Sequence, residues 1–214
     1  MRKSLAVVAI GALVAAISGC ILLNEQPIAA FDMVPEGGIA PLAVAFDASM
    51  STDADGSISE YTWRFGDSTQ GTGPAATHTY NSSGTYVVGL TVKDDLGARG
   101  EETSGKVYVG DVVPYDDLFR NNESYIGGII YVRGEIIQVR EFLGSYDWRV
   151  ATSESQFGGY TGDIIWANYS GARYLEGDII EMCAEVRGLR SYTAILGQQV
   201  TIPEVNVLWV QLSE

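Results

Sequence analysis

Alternation of apolar and polar residues constrains the fold of this chain more than any other feature of its sequence. In YTWRF the aromatic residues Tyr61, Trp63 and Phe65 occupy every second position, and PLAVAF and TYVVGLTV repeat the alternation. Successive side chains of a strand point to opposite faces of its sheet, so each stretch predicts a half-buried strand. Clusters of turn residues separate the stretches, namely STDADGS, GDSTQGTGP and NSSG. Short strands at this spacing predict an antiparallel β-sandwich with Trp63 in its core.

The second half of the chain, residues 111–214, has a different pattern. A short helix is predicted around 116–121, and GGIIYVRGEIIQVREF then begins a long strand in which Ile130, Val132 and Ile136 share a face. The alternation slips after Ile136, close to Gly134, which indicates a bulge or a sharp bend. Further strands are predicted at 147–152, 163–169, 177–187 and 205–212. About five strands with a long, coiled first one favour a small, partly open barrel of OB type; another small β-barrel or a sandwich is the alternative.

Residues 1–20 have the features of an export signal. Arg2 and Lys3 precede an apolar run, residues 5–17, that is too short to span a bilayer. The run ends in ISGC, which resembles the lipobox of prokaryotic lipoproteins. The resemblance implies that the chain is cut before Cys20 and that two acyl chains on this residue hold the protein at a membrane. An uncleaved anchor or a chance cysteine is the alternative.

Residues 28–110 resemble a PKD domain, an immunoglobulin-like module common in prokaryotic surface proteins. The resemblance rests on FDAS, STDADGSI, YTWRFGD, HTY and GTYVVGLTVKDDLG, which occur in that order. It implies an immunoglobulin-like β-sandwich that follows a tether at 21–27. Arg64 stands where the family usually has a carboxylate, and Ser68 stands where it usually has glycine. Both residues lie off the aromatic face and should face solvent. If the turn still requires a positive φ, Ser68 costs about 1 kcal/mol relative to glycine.

Residues 111–214 resemble OB-fold modules of exported prokaryotic proteins through RGEIIQV, LEGDIIEMCAEVRGL and YTAILGQQVTIPEV. OB barrels often bind oligonucleotides or oligosaccharides on an exposed aromatic face. The candidates for such a face are Trp148, Tyr160, Trp166, Tyr169 and Tyr174, although any of them could be a core residue instead. The fold alone does not determine what such a face binds.

The acidic residues in and near STDADGS are the candidate metal ligands. Some PKD domains bind Ca²⁺ through carboxylates near the edge of the sandwich, so the resemblance makes Asp47, Asp53 and Asp55 candidate calcium ligands. The spacing is not that of an EF-hand, because Ile58 and Arg64 stand where that loop needs glycine and glutamate. The alternative is an Asx-type turn in which the carboxylates accept backbone N–H groups. No other cofactor is expected.

The histidine and the second cysteine are expected to be structural. His78 is the only histidine in the sequence. No Gly-x-Ser-x-Gly elbow accompanies it, so we expect a hydrogen-bonding residue at a strand edge rather than a general base. A single histidine also argues against a zinc site. With Cys20 lipidated, Cys183 has no partner for an intramolecular disulfide and is expected to be a shielded thiol.

The formal net charge of -14 makes nucleic acid and anionic lipid headgroups poor partners. The sequence therefore predicts a non-catalytic lipoprotein, anchored outside the cytoplasm at the cell surface or periplasmic face. Its PKD domain would act as a binding, adhesion or spacer module, and its barrel would contact a polysaccharide or an envelope protein. One alternative is an accessory subunit of an envelope complex. The other is a glycan hydrolase that uses two carboxylates, although no pair among the 27 acidic residues is marked out.

Overall fold

The computed structural model describes residues 24–156 and 158–213. The predicted signal peptide and its lipidation site Cys20 lie outside these residues. The described part of the chain consists mainly of strands, with one six-residue helix, α1 (Tyr115–Arg120), and one 3₁₀ turn (Asn122–Ser124). No helix within it has the length and apolar character needed to cross a membrane. The all-β class predicted from the alternating patterns is confirmed.

Two sheets face each other in the first half of the described chain. Their strands are β1 (Asp32–Val34), β2 (Gly37–Ile39), β3 (Leu42–Asp47), β4 (Ile58–Arg64), β5 (Gln70–Thr72), β6 (Ala75–Tyr80), β7 (Gly84–Asp94) and β8 (Thr103–Val112). One sheet has the order β1-β3-β6, and the other has the order β5-β4-β7-β8 with β2 alongside β8. This arrangement confirms the predicted immunoglobulin-like β-sandwich.

Trp63 is at the centre of the sandwich core, as the alternation predicts. Its side chain is fully buried, and its indole N–H donates to a backbone carbonyl at 2.9 Å. The ring packs edge-on against Phe31, with centroids 5.2 Å apart, and against Phe46 at 5.5 Å. Phe65, which follows Trp63 by two positions just after the end of β4, is buried as well. Burial of an aromatic side chain of this kind stabilises the fold by roughly 2–3 kcal/mol.

The turn after β4 contains both departures from the PKD pattern. Ser68 has a φ of 74°, so it occupies the left-handed region that glycine adopts without steric cost. The turn has therefore kept its shape, and Ser68 carries the expected cost of about 1 kcal/mol. Arg64 is exposed, as expected, and forms an ion pair with Glu102.

Five strands in the second half form a closed ring. They are β9 (Ile129–Phe142), β10 (Ser145–Ala151), β11 (Ile164–Tyr169), β12 (Ile179–Thr193) and β13 (Gln199–Leu212). Neighbours pair in the order β9-β10-β11-β13-β12, and β12 pairs with β9 again. β11 and β13 run parallel, and the other neighbours are antiparallel. The ring is closed rather than partly open, and β12 and β13 extend beyond the predicted ranges into a long hairpin arm.

The long first strand of the barrel contains the predicted irregularity. β9 pairs with β12 through its first part and with β10 through its second, and Glu135 has a partner on both strands. Ile136 lies opposite Val150 and Gln138 lies opposite Arg149, so Ile137 is the extra residue of a bulge. The bulge comes three positions after Gly134, and it explains why the alternation slips there.

The two domains are joined by main-chain pairing. β8, the last strand of the sandwich, continues into a parallel pairing with β9, in which Asp111 lies opposite Ile130. Beside this pairing the thiol of Cys183 is fully buried, and its single S–H lies within hydrogen-bond distance of the carbonyl oxygens of Gly38 and Tyr108, at 3.5 and 3.3 Å. Burial raises the pKa of this thiol to about 11. Cys183 is therefore a buried structural thiol at the junction of the domains.

Candidate functional site

Three of the five candidate aromatic residues point into the barrel. Trp148 is fully buried, and its ring centroid lies 4.5 Å from that of Tyr169 and 5.5 Å from that of Tyr174. Trp148 shares the inward face of β10 with Tyr146 and Val150, and all three belong to the barrel core. The expectation of an exposed face is therefore wrong for Trp148, because closure of the ring turns this side of β10 and β11 inward. Tyr169 and Tyr174 are half-buried and pack against the same core.

Tyr160 lies apart from the other aromatics, in the loop between β10 and β11. It is 9% exposed, and its hydroxyl donates to the Glu154 carboxylate at 3.0 Å. Its backbone forms an isolated antiparallel bridge with the same residue. Tyr160 therefore closes this loop on itself and does not extend an aromatic face.

Trp166 is the one candidate on the outer face of the barrel, and arginine side chains cover it. The residue is only 2% exposed. The guanidinium of Arg190 lies 4.0 Å from the ring centroid, and that of Arg149 lies 5.8 Å away. Tyr192 completes the stack, with Arg149 at 4.3 Å from its ring. Such cation–π contacts contribute roughly 0.5–2 kcal/mol each, so the stack holds the guanidinium groups in place.

Acidic and amide side chains fix one side of this stack. Arg190 donates to Glu204 at 2.8 Å, and the amide of Asn168 donates to the same carboxylate at 3.0 Å. The indole N–H of Trp166 donates to the Asn168 carbonyl oxygen at 3.2 Å. We call Gln138, Arg149, Trp166, Arg190, Tyr192 and Glu204 the outer patch.

Two polar atoms of the outer patch have no partner. The Nε atom of Arg149 and the Oε1 atom of Gln138 are buried and form no hydrogen bond. The two residues are direct neighbours across β9 and β10, so the unsatisfied donor and the unsatisfied acceptor belong to side chains that project from the same face of the sheet. Each such group costs about 1–3 kcal/mol. Buried polar groups are rarely left unpaired, which makes the outer patch the strongest candidate for a binding site.

The sequence analysis named Trp166 and none of the other five members of the outer patch. Arg149 occupies an outward position on a predicted strand, so the alternation itself could have identified it. Arg190 and Tyr192 lie beyond the predicted end of their strand, on the hairpin arm, and no sequence signal places them over Trp166.

Of the three calcium candidates, Asp47 and Asp55 are occupied by turns and backbone contacts. Asp47 accepts the backbone N–H of Ser49 at 2.8 Å, and this bond lowers the pKa of its carboxyl. Asp55 accepts the backbone N–H of Glu25 at 3.1 Å. The contact of Asp47 with Ser49 is the Asx-type turn expected as the alternative. The contact of Asp55 instead joins residues 30 positions apart.

Asp53 differs from Asp47 and Asp55, because both of its carboxylate oxygens are buried and no group in the described part of the chain lies at the distance and angle of a normal hydrogen bond to them. Burial raises the pKa of Asp53, and the neighbouring charges of Asp55 and Asp94 raise it further. Asp94 is itself buried and accepts the side-chain amide of Asn24 at 2.8 Å. Nevertheless, within residues 24–156 and 158–213 no three His, Cys, Asp or Glu side chains are grouped closely enough to hold a metal ion.

His78 is held in place by the turn after β4. Its Nε2 atom lies 2.7 Å from the Asp67 carboxylate, and its ring stacks on Phe65 with centroids 4.4 Å apart. Tyr80 contacts the ring edge-on at 4.7 Å. These contacts support the structural role expected for this residue.

A pocket of about 330 Å³ lies where the segment before α1 meets β9 and the loop between β10 and β11. Val113, Leu118 and Ile165 are among its apolar lining residues. Of its polar residues, Asp163 accepts a hydrogen bond from Ser153. Arg133 forms ion pairs with Glu154 and Glu181 at 3.4 and 3.9 Å. These polar groups are satisfied within the chain, in contrast to those of the outer patch.

Comparison with known proteins identifies the first domain. A family model described as PKD domain matches residues 24–109. Collagenase ColA of Bacillus cereus is 32% identical over 99 residues, which are 41% of this chain and 10% of the collagenase. The pre-pro-metalloprotease PrtV of Vibrio cholerae is 40% identical over 74 residues, 35% of this chain and 8% of the protease. The chain thus spans about a tenth or less of the length of these relatives.

Two solved structures are similar to parts of the chain. The PKD1 domain of Vibrio anguillarum Epp is 33% identical with a TM-score of 0.35, and the match covers 41% of this chain and 99% of that domain. A structure of carbohydrate-binding modules from the β-sandwich superfamily is 27% identical with a TM-score of 0.43, covering 76% of this chain and 56% of that one. The match to the family model and the immunoglobulin-like sandwich agree that residues 24–109 contain a PKD domain.

Proposed function

We propose that this chain is a lipid-anchored, extracytoplasmic binding module without catalytic activity of its own. In this proposal the PKD domain holds an OB-type barrel away from the membrane, and the barrel binds a polysaccharide through the outer patch. The single observation that carries the proposal is the pair of unsatisfied groups, Arg149 Nε and Gln138 Oε1, beside an ordered stack of arginine and aromatic side chains. A binding surface of this kind is pre-organised because rigid strands hold its side chains.

The strand arrangement supports the OB assignment of the second domain. An OB-fold is a small five-stranded Greek-key barrel whose ligands lie on the face of its second and third strands. Here the second and third barrel strands are β10 and β11, and they carry Arg149 and Trp166 on their outer side. The hairpin arm of β12 and β13 lies over the same face, because Arg190 and Tyr192 contact Trp166.

The position of β8 supports a spacer role for the PKD domain. Pro27, close to the beginning of the described chain, lies against Gly100, three residues before β8 begins. The other end of β8 pairs with the barrel strand β9. A strand of ten residues spans about 33 Å. An anchor at Cys20 would therefore hold the barrel at roughly this distance from the membrane end of the PKD domain.

The structure offers little support for the hydrolase alternative. Glycoside hydrolysis needs two carboxyl groups that face each other across a cleft. The pocket of about 330 Å³ contains one carboxylate, Asp163, which is bonded to Ser153. The histidine that could serve as a base, His78, is stacked on Phe65 and bonded to Asp67.

A glycan-binding screen on the full chain tests the proposed function. We expect binding to at least one envelope or extracellular polysaccharide, and we expect R149A to weaken it. The matched control is R120A, because Arg120 is an exposed arginine on α1, outside the outer patch. Release of a product from a glycan mixture would overturn the non-catalytic proposal. Binding only to envelope proteins would favour the accessory-subunit alternative instead.

Lipid anchoring is tested separately by C20S. If Cys20 carries the acyl chains, we expect this variant to move from the membrane fraction to the soluble fraction. An unchanged membrane fraction would contradict the lipid anchor without affecting the outer patch.

A calcium site is a second candidate function, favoured by the unpaired carboxylate of Asp53. We propose that Asp53 provides carboxylate oxygens for Ca²⁺ at the edge of the sandwich, near the carboxylate of Asp94. Bound Ca²⁺ would neutralise the repulsion between the two carboxylates. We expect Ca²⁺ to raise the melting temperature of the full chain and D53N to abolish that increase. An identical melting temperature with Ca²⁺ and with chelator would contradict this proposal.

A further inference from the structure

The outer patch does not present an open aromatic ring to a ligand. Trp166 is 2% exposed and lies beneath Arg190. A neutral sugar that binds by stacking on a tryptophan would first have to displace this arginine. The groups that a ligand meets are therefore guanidinium groups and Tyr192, whose side chain is half-buried.

The two arginines of the outer patch differ in their partners. Arg190 is already paired with Glu204, and Asn168 holds that carboxylate from the other side. Arg149 contacts the rings of Tyr192 and Trp166 but forms no hydrogen bond or ion pair within the described residues. A guanidinium group fits a carboxylate through two parallel N–H···O bonds. Arg149 is therefore the member of the patch that is free to take a carboxylate.

Gln138 adds a second requirement, because its unpaired Oε1 atom can only accept a hydrogen bond. Since neither Gln138 Oε1 nor Arg149 Nε has a partner within the chain, turning these groups towards a ligand breaks no internal hydrogen bond. The complementary ligand offers a carboxylate to Arg149 and, within a few ångströms, a hydroxyl group to Gln138. A phosphodiester meets the first requirement but has no donor for the second.

We propose that the outer patch recognises a uronate residue of an acidic polysaccharide, an inference that rests on the proposed function. A uronic acid carries its carboxylate beside a ring hydroxyl, so one sugar residue satisfies both Arg149 and Gln138. The net charge of -14 repels dense polyanions. A short uronate oligomer, or a chain in which uronates alternate with neutral sugars, therefore fits better than a long continuous polyuronate. Glu204 does not oppose binding, because Arg190 already neutralises it.

Calorimetric titration of the full chain with a trigalacturonate and with its methyl ester tests this proposal. The ester keeps the hydroxyl groups and loses the charge, so we expect it to bind at least tenfold more weakly. We expect R149A and R149K each to weaken trigalacturonate at least tenfold, since lysine keeps the charge but loses the two parallel bonds. We expect Q138L to weaken it severalfold and the control R120A to leave it unchanged. Thermal melting of each variant confirms that it is folded.

The possible outcomes separate this inference from the proposed function. Equal binding of the acid and the ester, with R149A inactive against both, would overturn the carboxylate assignment and leave a glycan-binding patch. Binding of an acidic peptide, but of no sugar, through Arg149 would overturn the uronate assignment in favour of a protein partner. Absence of binding to any glycan would overturn both proposals.

Discussion

The contact between the two domains can be tested at one glycine. Gly110 lies at the end of the sandwich where β8 passes β9. A methyl group at this position would lie 2.5 Å from the backbone N of Tyr131 and 2.6 Å from the carbonyl carbon of Ile130. Both atoms belong to the main chain, so no side-chain rotation can relieve the overlap. In G110A, β9 must therefore move away from β8.

The expected cost follows from that displacement. An ordinary contact of a methyl carbon begins near 3.4 Å, so the strands must separate by about 0.9 Å at this point. The parallel pairing of β8 with β9 involves two residue pairs, Asp111 with Ile130 and Val112 with Tyr131. Loss of its hydrogen bonds costs about 1 kcal/mol each, and the remaining overlap costs a further 1–2 kcal/mol. We therefore expect the favourable interaction free energy between the two domains to be smaller in G110A by roughly 2–4 kcal/mol.

Differential scanning calorimetry of the full chain measures this effect. We expect the two domains of the wild type to unfold in one transition and those of G110A to unfold in two. The matched control is G84A, because the nearest atoms to a methyl group at Gly84 belong to the phenol ring of Tyr86, at 3.3 Å, which can shift. If G110A keeps the single transition of the wild type and a melting temperature like that of G84A, the pairing of β8 with β9 does not hold the domains together.

Three further predictions concern single side chains. Y80F should lower stability by about 1–2 kcal/mol in urea denaturation, because the buried Tyr80 hydroxyl donates to the Phe65 carbonyl at 2.9 Å; an unchanged midpoint would contradict this. L143N should raise the free energy of unfolding by about 0.5–1 kcal/mol. Leu143 is exposed with a φ of 50° and precedes a glycine in a two-residue hairpin turn, and such turns favour Asn-Gly. A lower urea midpoint for L143N would refute the strain argument. Burial raises the pKa of Asp67, but hydrogen bonds, including that with His78, outweigh burial and hold the pKa below its usual range. The stability from Asp67 is therefore complete above a pH of about 4 and is lost as the pH falls through the lowered pKa. We expect the free energy of unfolding of D67N to fall less steeply with decreasing pH than that of the wild type, as measured by acid denaturation. An identical pH dependence would show that this carboxylate contributes nothing.

Local sequence patterns predicted much of the sandwich. The alternation in YTWRF identified Trp63 and Phe65 as core residues, and both are buried. The PKD resemblance located the turn in which Ser68 replaces glycine, and Ser68 has the positive φ that a retained turn requires. These predictions succeeded because they depend on a strand and its own turn, where residues close in sequence determine the geometry.

Local sequence patterns predicted the barrel only in part. The slip in the alternation of β9 predicted an irregularity, and the bulge at Ile137 confirms it. Periodicity cannot tell which of its two faces a strand buries when both carry aromatic residues. Trp148 and Trp166 were therefore placed together, although one lies in the core and the other on the outer face.

The sequence by itself determined the all-β class, the core face of the first domain and its PKD family, because each of these follows from spacing within short segments. Only the tertiary structure brought together Gln138, Arg149 and Arg190, which lie on three different strands. Their proximity depends on the closure of the ring and on the hairpin arm lying over Trp166. Contacts between strands distant in sequence arise only after the chain has packed, and no local periodicity encodes them.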